Sequence, residues 1–288
     1  MQKLSVADAL KTAVQRLAAT HCETPQLDAE ILLAHTLNQT RTWLLSYPQA
    51  QLAAEQSQAF WHTIERRAAR EPVAYITGHK EFFALDFAVS PAVLIPRPET
   101  ELLVETALHL AAGWPQPTLA DVGAGSGCIA VALASRLPRA QITAIDISTA
   151  ALAVARHNAQ QHGVAGRITF LPGDLLAPLP HPVDLIASNP PYVSQPQLAA
   201  TAPEVQQFEP RLALDGGPAG LDIIERLLAQ APKKLKPGGT LLVEIGFDQG
   251  AAVKKLAQSY FPGAEVHIKP DLAGLDRLLV VRDLAGQV

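Results

Sequence analysis

Four consecutive residues, Asn189-Pro190-Pro191-Tyr192, carry the groups needed to hold a small planar amine. They follow an apolar run at 183–188 that predicts a buried parallel strand, and Asn-Pro is a turn signal that should end it. Each proline fixes φ near about −65° and lacks a backbone donor, so the loop is stiff. The Asn189 side-chain oxygen and the Pro190 carbonyl oxygen can accept hydrogen bonds from an NH₂ group. Tyr192 can pack against the face of the same group.

This loop suits methylation of an amide or aromatic amine. Such a nitrogen is a poor nucleophile because its lone pair is delocalised. Two acceptors aimed at its hydrogens favour a more pyramidal nitrogen and direct the lone pair at an electrophile. No strong base is needed if the electrophile is already activated, as a sulfonium methyl is. Taken alone, the motif is equally compatible with a proline-rich turn that only ends a strand.

A second motif, at residues 121–127, is a glycine-rich loop with the sequence Asp-Val-Gly-Ala-Gly-Ser-Gly. Its glycines allow a tight turn and a close approach to a ligand, and the helix behind them offers a positive dipole end. The dinucleotide-binding pattern requires Gly or Ala at position 128, where this chain has Cys128. Asp121, which precedes the loop, can face a cationic amino group.

Two further acids end the next two predicted strands. Asp146 follows the glycine loop by about 20 residues and can accept hydrogen bonds from a ribose diol. Asp174 can accept the exocyclic amine of an adenine. Each acid alone is more simply explained as a cap or a solvated turn. Three acids at successive strand ends beside a glycine loop favour a nucleoside site.

These residues require a sheet to position them, and the chain from about 117 onward predicts one. Strands and helices alternate there, which is typical of an α/β, doubly wound parallel sheet. The predicted strands are 118–122, 141–145, 168–171, 183–188, 240–245, 264–269 and 277–282, and the predicted helices begin at Cys128, Thr149, Leu221 and Gln249. The long connection 193–220 is predicted to be a lid or a binding element.

The chain before residue 97 predicts a smaller, separate part. Residues 1–70 are predicted to form three or four short helices in a small bundle, with Ser5 capping the first and Pro25 starting the second. Residues 73–89 are rich in aromatic residues around Gly78 and predict a β-hairpin. The predicted domains are therefore 1–72, 73–96 and 97–288. The helical bundle either supports the catalytic domain or docks a substrate.

The stretch 94–101, Leu-Ile-Pro-Arg-Pro-Glu-Thr-Glu, predicts a rigid entry loop. Pro98 can sit near the start of a helix that continues to Leu110. The loop is either a linker and helix cap or one wall of the ligand cleft.

The composition excludes several classes of protein. The 288 residues carry a net charge of −4, so the protein has no overall positive potential that would attract nucleic acid. The two cysteines, Cys22 and Cys128, are too few for a disulfide framework, which is typical of the cytoplasm. We find no signal peptide, no stretch long enough to span a membrane and no metal-ligand spacing among the histidines. We therefore expect no metal site, no membrane association and no direct nucleic-acid partner.

Taken together, the motifs resemble those of a known family. The chain is similar to class I S-adenosylmethionine-dependent methyltransferases, and within that class to the glutamine N5-methyltransferases of peptide chain release factors. The combination of Asn-Pro-Pro-Tyr with Ile-Pro-Arg-Pro-Glu-Thr-Glu is highly specific, and the similarity spans most of the chain. The matching stretches are Glu71-Pro72, Phe82, 94–101, 121–127, Asp146, Asn158-Ala159, 189–192 and 208–210.

The resemblance implies a Rossmann-like methyltransferase sheet joined to the small N-terminal helical domain by the β-hairpin linker. It implies S-adenosylmethionine as the cofactor and S-adenosylhomocysteine as its product. It also implies that class-1 release factors are the partners, methylated on the glutamine of their Gly-Gly-Gln motif. We expect a monomer.

The resemblance also assigns roles to individual residues. The cofactor-binding residues are Asp121, Gly123, Ala124, Gly125, Ser126, Gly127, Asp146, Asp174, Leu175 and Asn189. Asp146 takes the ribose hydroxyls, and Asp174 and Leu175 lie by the adenine. Some family members carry tryptophan at position 175, and leucine cannot stack on adenine. The catalytic residues are Asn189, Pro190 and Tyr192, and these three with Pro191 bind the substrate glutamine.

Three alternatives stay open from the sequence. A sibling enzyme would methylate a glutamine of a large-subunit ribosomal protein. An adenine-N6 DNA or RNA methyltransferase could use the same loop, with Tyr192 stacking on a flipped base. A non-catalytic module could retain the fold, although it would not need the acceptor pair.

Overall fold

The computed structural model of the protein describes residues 4–282. The backbone packs into two compact units. One comprises the residues up to His79 together with Ala202–Phe208, and the other comprises Lys80–Thr201 and the residues from Glu209 onward. The domain limits drawn from the sequence at residues 72 and 96 stay a proposal.

The helices of the described residues are, in chain order, α1 (Val6–Ala18), α2 (Pro25–Leu37), α3 (Arg41–Ser46), α4 (Ala54–Ala68), α5 (Val73–Thr77), α6 (Glu101–Ala111), α7 (Cys128–Arg136), α8 (Thr149–Gln161), α9 (Gln195–Ala200), α10 (Pro203–Phe208), α11 (Asp222–Gln230) and α12 (Gly250–Tyr260). The strands are β1 (His79–Phe82), β2 (Leu85–Ala88), β3 (Thr118–Val122), β4 (Gln141–Asp146), β5 (Ile168–Pro172), β6 (Val183–Ser188), β7 (Leu235–Glu244), β8 (Glu265–Pro270) and β9 (Asp276–Arg282). None of these helices has both the length and the apolar character needed to cross a membrane.

The first unit is helical, as predicted. Ser5 caps α1 by accepting a hydrogen bond from the backbone N–H of Asp8 at 3.1 Å, and Pro25 is the first residue of α2. The apolar faces of α1, α2 and α4 meet in a core in which Leu17, Leu32 and Phe60 are fully buried.

A buried charge cluster holds α10 in this first unit. Arg67 of α4 donates to Asp28 of α2 at 2.7 Å and to Glu204 of α10 at 2.9 Å. Arg70 donates to the second oxygen of Glu204 at 2.7 Å. Buried charges persist when they are paired in this way. A short segment distant in sequence is thereby fixed to the helical unit.

One boundary predicted from the sequence is wrong. Residues 73–77 form the helix α5 rather than the first strand of a hairpin. Gly78 ends that helix in the left-handed conformation, with φ +79°. The hairpin is the shorter pair β1 and β2, and it turns at Phe83 and Ala84, which both have positive φ.

The second unit is built on a seven-stranded sheet in the order β5-β4-β3-β6-β7-β9-β8. The neighbours from β5 to β7 are all parallel, whereas β9 pairs antiparallel with both β7 and β8. The predicted parallel sheet is thus confirmed for five strands and is extended by an antiparallel edge.

Helices cover both faces of this sheet. Residues of α6, α7 and α8 pack on one face, where Leu119 of β3 is buried. Residues of α11 and α12 pack on the other face, where Ala120 of the same strand is buried. Successive residues of a strand point to opposite faces, so each buried strand contributes to both cores. This confirms the doubly wound arrangement.

The long connection after β6 contains α9, α10 and a short 3₁₀ turn at Arg211–Ala213. It ends at Gly220, which has φ +74°. A Cβ atom at Gly220 would lie 2.7 Å from the side-chain nitrogen of Gln249, so a larger residue does not fit. The connection therefore returns to the sheet through a position that favours glycine.

Candidate active site

The Asn-Pro-Pro-Tyr loop and the glycine loop begin side by side at one edge of the sheet. Val122 of β3 pairs with Ser188 of β6, and the Ser188 hydroxyl donates to the Val122 carbonyl oxygen at 2.7 Å. The next residues, Gly123 and Asn189, start the two loops. A Cβ atom built on Gly123 would lie 3.8 Å from the Asn189 carbonyl oxygen. The two motifs are therefore adjacent.

This edge is also the topological switch point of the sheet. The chain passes from β3 to β4 and β5 on one side and returns through β6 on the other. Open α/β sheets bind ligands at the carboxyl ends of the strands where the order reverses in this way.

A cavity of about 210 Å³ opens where the loops meet. Most of the residues predicted from the sequence lie on its wall. These are Gly123, Ala124, Gly125, Ser126, Asp146, Asp174, Leu175, Asn189 and Pro191. The predicted residues Asp121, Gly127, Pro190 and Tyr192 do not line it.

Asp146 is held at the wall by two backbone donors. Its Oδ2 accepts from the N–H of Gly125 at 2.8 Å, and its Oδ1 accepts from the N–H of Ser148 at 2.8 Å. A carboxylate oxygen can accept more than one hydrogen bond. Both oxygens therefore retain lone pairs for a ligand.

Asp174 is paired with a cation that the sequence analysis did not identify. Arg226 of α11 donates to Asp174 Oδ2, and both side chains are about half exposed. Leu175 beside it has φ +50°, which is uncommon for a residue other than glycine. The wall at this end thus combines an ion pair with an apolar side chain.

The entry loop forms another part of the wall, through Leu94, Pro96, Arg97 and Thr100. Glu209 holds this loop in place. Its carboxylate accepts from Arg97 at 2.5 Å and from the backbone N–H of Ile95 at 3.3 Å. Of the two explanations for residues 94–101, the cleft wall is the one that the structure supports.

Two groups close to the glycine loop have raised pKa values. Asp121 has no exposed surface, and its Oδ2 accepts from the N–H of Ala130 at 3.0 Å while its Oδ1 has no partner among the described residues. Burial raises the pKa of Asp121 to about 7. Burial likewise raises the pKa of the Cys128 thiol to about 12, so this thiol stays neutral and is not a nucleophile.

Asn189 and Tyr192 are both linked to one buried carboxylate, that of Glu244. The Asn189 Nδ2 donates to the Thr100 hydroxyl at 3.0 Å, and that hydroxyl donates to Glu244 at 2.6 Å. The Tyr192 hydroxyl donates to the other oxygen of Glu244 at 3.2 Å. Burial raises the pKa of Glu244 to about 7, and the bonds from Thr100 and Tyr192 oppose that shift.

These contacts leave the acceptors of the loop available. Among the described residues, nothing donates to the Asn189 Oδ1 or to the Pro190 carbonyl oxygen. Tyr192 packs partly into the core beside α11 and α12. Its role as a stacking surface for the substrate stays a prediction.

The sequence analysis missed Thr100, Glu244 and Arg226 as site residues. Only Glu244 carried a signal. It is an acid that directly follows the apolar residues 241–243 at the end of β7, and such a residue usually needs buried partners. Thr100 lies in the entry loop 94–101, which was singled out for its prolines and not for this residue. Arg226 lies on a segment whose helical pattern gave no reason to single it out.

Two family models match separate parts of the chain. Residues 8–78 match the family model described as PrmC N-terminal domain, and residues 98–216 match the one described as Methyltransferase small domain.

Individual relatives match this chain over nearly all of its length. The release factor glutamine methyltransferase of Moorella thermoacetica is 48% identical over 275 residues, which cover 95% of this chain and 97% of that protein. The release factor glutamine methyltransferase of Koribacter versatilis is 41% identical over 281 residues, covering 97% and 99%.

Among solved structures, the catalytic domain of hMettl16 in complex with the MAT2A 3′UTR hairpin 6 aligns with a TM-score of 0.58. It covers 78% of this chain and 83% of that one at 17% identity. Identity at that level shows a shared fold alone.

Proposed function

We propose that this chain, which belongs to the family of release factor glutamine methyltransferases, methylates the glutamine of the Gly-Gly-Gln motif in class-1 peptide chain release factors. The methyl group comes from S-adenosylmethionine and goes to the side-chain amide nitrogen. The observation that carries the proposal is that the glycine loop at Gly123 and the Asn-Pro-Pro-Tyr loop at Asn189 are adjacent and both line one cavity.

The residues on the wall fit S-adenosylmethionine. Asp146 keeps free lone pairs on both oxygens and is proposed to bind the ribose hydroxyls. Gly123 to Gly127 are proposed to accommodate the cofactor without Cβ clashes. Asp174 and Leu175 are proposed to lie by the adenine. Asp121 does not line the cavity, and its proposed effect on the cationic amino group is through its charge when it is ionised.

When bound, S-adenosylmethionine supplies an activated methyl on a sulfonium, so the amide nitrogen gains a methyl group and loses one proton. The work of the protein is orientation. Asn189 Oδ1 and the Pro190 carbonyl oxygen are proposed to accept the two hydrogens of the amide NH₂ and to aim its lone pair. Correct orientation of reacting groups can lower a barrier by roughly 7–11 kcal/mol.

The partner and the setting follow from the substrate. We propose that the N-terminal helical domain docks the release factor and that the reaction takes place in the cytoplasm, where translation terminates. The neutral-to-acidic balance of the chain, with a net charge of −4, suits a protein substrate better than a nucleic acid.

Mass spectrometry of a purified release factor tests the proposal. After incubation with this protein and S-adenosylmethionine, we expect one added methyl group on the Gly-Gly-Gln peptide. A release factor with that glutamine replaced should gain none. Methylation of a ribosomal protein instead would favour the sibling activity, and transfer to neither substrate would contradict the proposal.

The same assay tests Asn189. Asn189→Ala removes one acceptor and leaves an amide hydrogen of the substrate unpaired, which costs about 1–3 kcal/mol. We expect turnover to fall by about tenfold to a hundredfold, with binding of S-adenosylhomocysteine less affected. The control is Gln161→Ala, an exposed carboxamide at the end of α8, which should leave turnover unchanged. Wild-type turnover in Asn189→Ala would overturn the role of this loop.

A further inference from the structure

The orientation of the Asn189 carboxamide is fixed by groups outside the Asn-Pro-Pro-Tyr loop. A side-chain amide has a donor end and an acceptor end, and it can rotate to exchange them. The proposed function needs the acceptor end, Oδ1, to face the substrate. If the amide turned over, the two hydrogens of its NH₂ would face the two hydrogens of the substrate amide.

Thr100 and Glu244 form a buried relay behind Asn189. Thr100 is 2% exposed and Glu244 is 1% exposed. The Thr100 Oγ1 lies 2.6 Å from the Glu244 Oε2 and 3.0 Å from the Asn189 Nδ2. Thr100 lies just before α6, and Glu244 ends β7, so the relay rests on two packed elements of the same unit.

The number of protons in this relay determines the direction of each hydrogen bond. At pH values above its raised pKa of about 7, Glu244 is ionised and can only accept, so the single proton of the Thr100 hydroxyl goes to Glu244. The Thr100 oxygen is then an acceptor toward Asn189. Only the NH₂ end of the Asn189 amide can donate to it, which leaves Oδ1 without a partner among the described residues.

The same carboxylate also holds the other end of the loop. The Tyr192 hydroxyl donates to Glu244 Oε1 at 3.2 Å. The side chains of Asn189 and Tyr192, which flank the two prolines, are therefore both held by the Glu244 carboxylate, Asn189 through Thr100. A buried hydrogen-bond network is rigid when every member is paired, because the loss of one partner leaves other buried polar atoms unpaired.

We propose that Thr100 and Glu244 are positioning residues that lock the Asn189 carboxamide with its oxygen toward the substrate. This inference rests on the proposed function and deepens it. Neither residue touches the reacting atoms. They act through Asn189 by making one of its two orientations unfavourable.

The test compares Thr100→Val with Thr100→Ser. Valine keeps the shape of threonine but removes the hydroxyl, so the Asn189 amide can turn over. We expect kcat to fall by about a hundredfold, as for a misplaced reacting group, while the KM for the release factor and the affinity for S-adenosylhomocysteine change little. Serine keeps the hydroxyl and should recover most of the lost kcat.

Thr106→Val is the matched control. Thr106 is in α6, also carries a hydroxyl that both donates and accepts, and does not line the cavity. It should show wild-type kcat. Equal loss of kcat in the valine and serine variants at position 100 would overturn the inference, because the hydroxyl would then be irrelevant.

A second readout does not depend on activity. In the ¹⁵N NMR spectrum, the Asn189 side-chain NH₂ signal can be identified by its loss in Asn189→Ala. We expect it to shift and to exchange faster with solvent in Thr100→Val but not in Thr100→Ser. An unchanged signal in Thr100→Val would contradict the relay. Absence of methyl transfer by the wild-type protein, with the expected NMR change, would instead contradict the proposed function alone.

Discussion

At the scale of single residues, Asp121 gives the protein a pH-dependent stability. Its carboxyl group is fully buried and has a pKa raised to about 7, chiefly by burial. In the unfolded chain an aspartate loses its proton near pH of about 3.9. Between these values the folded state holds the additional proton, so the free energy of unfolding must fall as pH rises.

We therefore predict that Asp121→Asn weakens this dependence. The wild-type free energy of unfolding should fall by about 2–3 kcal/mol between pH about 5 and 8 because of Asp121. Asparagine is neutral at all pH values and nearly the same shape, so the variant should not show this fall. Urea unfolding of both proteins at the two pH values measures the difference. Other titratable groups, including Glu244, are present in both proteins, so their contributions cancel when the two pH profiles are compared. Parallel pH profiles would show that Asp121 is not the source.

At this scale most of the site residues predicted from the sequence line the cavity, but the contacts that support them were not predicted. Asn189, Asp146 and the glycine loop could be predicted because their residue types and their positions at strand ends are local features of the sequence. Thr100 and Glu244 are 144 residues apart, and Asp174 and Arg226 are 52 apart. Which such pairs meet depends on the sheet order, which no local pattern gives.

At the scale of elements, the buried cluster of the helical unit should contribute more to stability than its surface ion pairs. The side chains of Asp28 and Arg67 are each 7% exposed, whereas the side chains of Arg16 and Glu65 are 46% and 58% exposed. A buried cation that loses a partner retains its desolvation cost, whereas a surface pair is screened by water.

We predict that Asp28→Ala lowers the free energy of unfolding by roughly 1–3 kcal/mol, because Arg67 then keeps only Glu204 and a backbone carbonyl as acceptors. Glu65→Ala is the matched control and should cost less than about 1 kcal/mol. Unfolding followed by tryptophan fluorescence reports on this unit through Trp43 and Trp61. Equal losses in the two variants would show that burial of the cluster adds nothing.

The elements themselves followed the sequence closely, with one instructive exception. The strands of the large sheet were predicted because buried parallel strands are short apolar runs between turn residues. Residues 73–77 were wrongly predicted as strand because the stretch 73–89 is rich in aromatic residues around Gly78. Pro72 and Gly78 bound a helical turn instead, and Tyr75 and Ile76 are buried. Local capping and packing outweighed propensity there.

At the scale of the whole molecule, the chain packs into two compact units. The matches to the two family models cover residues 8–78 and 98–216. The helical unit also includes Ala202–Phe208, a piece of the long connection after β6. This part of the organisation could not be predicted, because the charge cluster that fixes α10 depends on a contact between residues 137 apart in sequence.

Catalysis is proposed to depend on two neighbouring loops that bring a carboxamide NH₂ up to an activated methyl group. A crystal structure with S-adenosylhomocysteine and a peptide containing the Gly-Gly-Gln motif tests it most directly. We predict that the glutamine amide nitrogen lies within hydrogen-bond distance of both the Asn189 Oδ1 and the Pro190 carbonyl oxygen, with the cofactor sulfur on its open side. A glutamine bound elsewhere, or an Asn189 amide that turns its NH₂ toward the glutamine, would contradict the account.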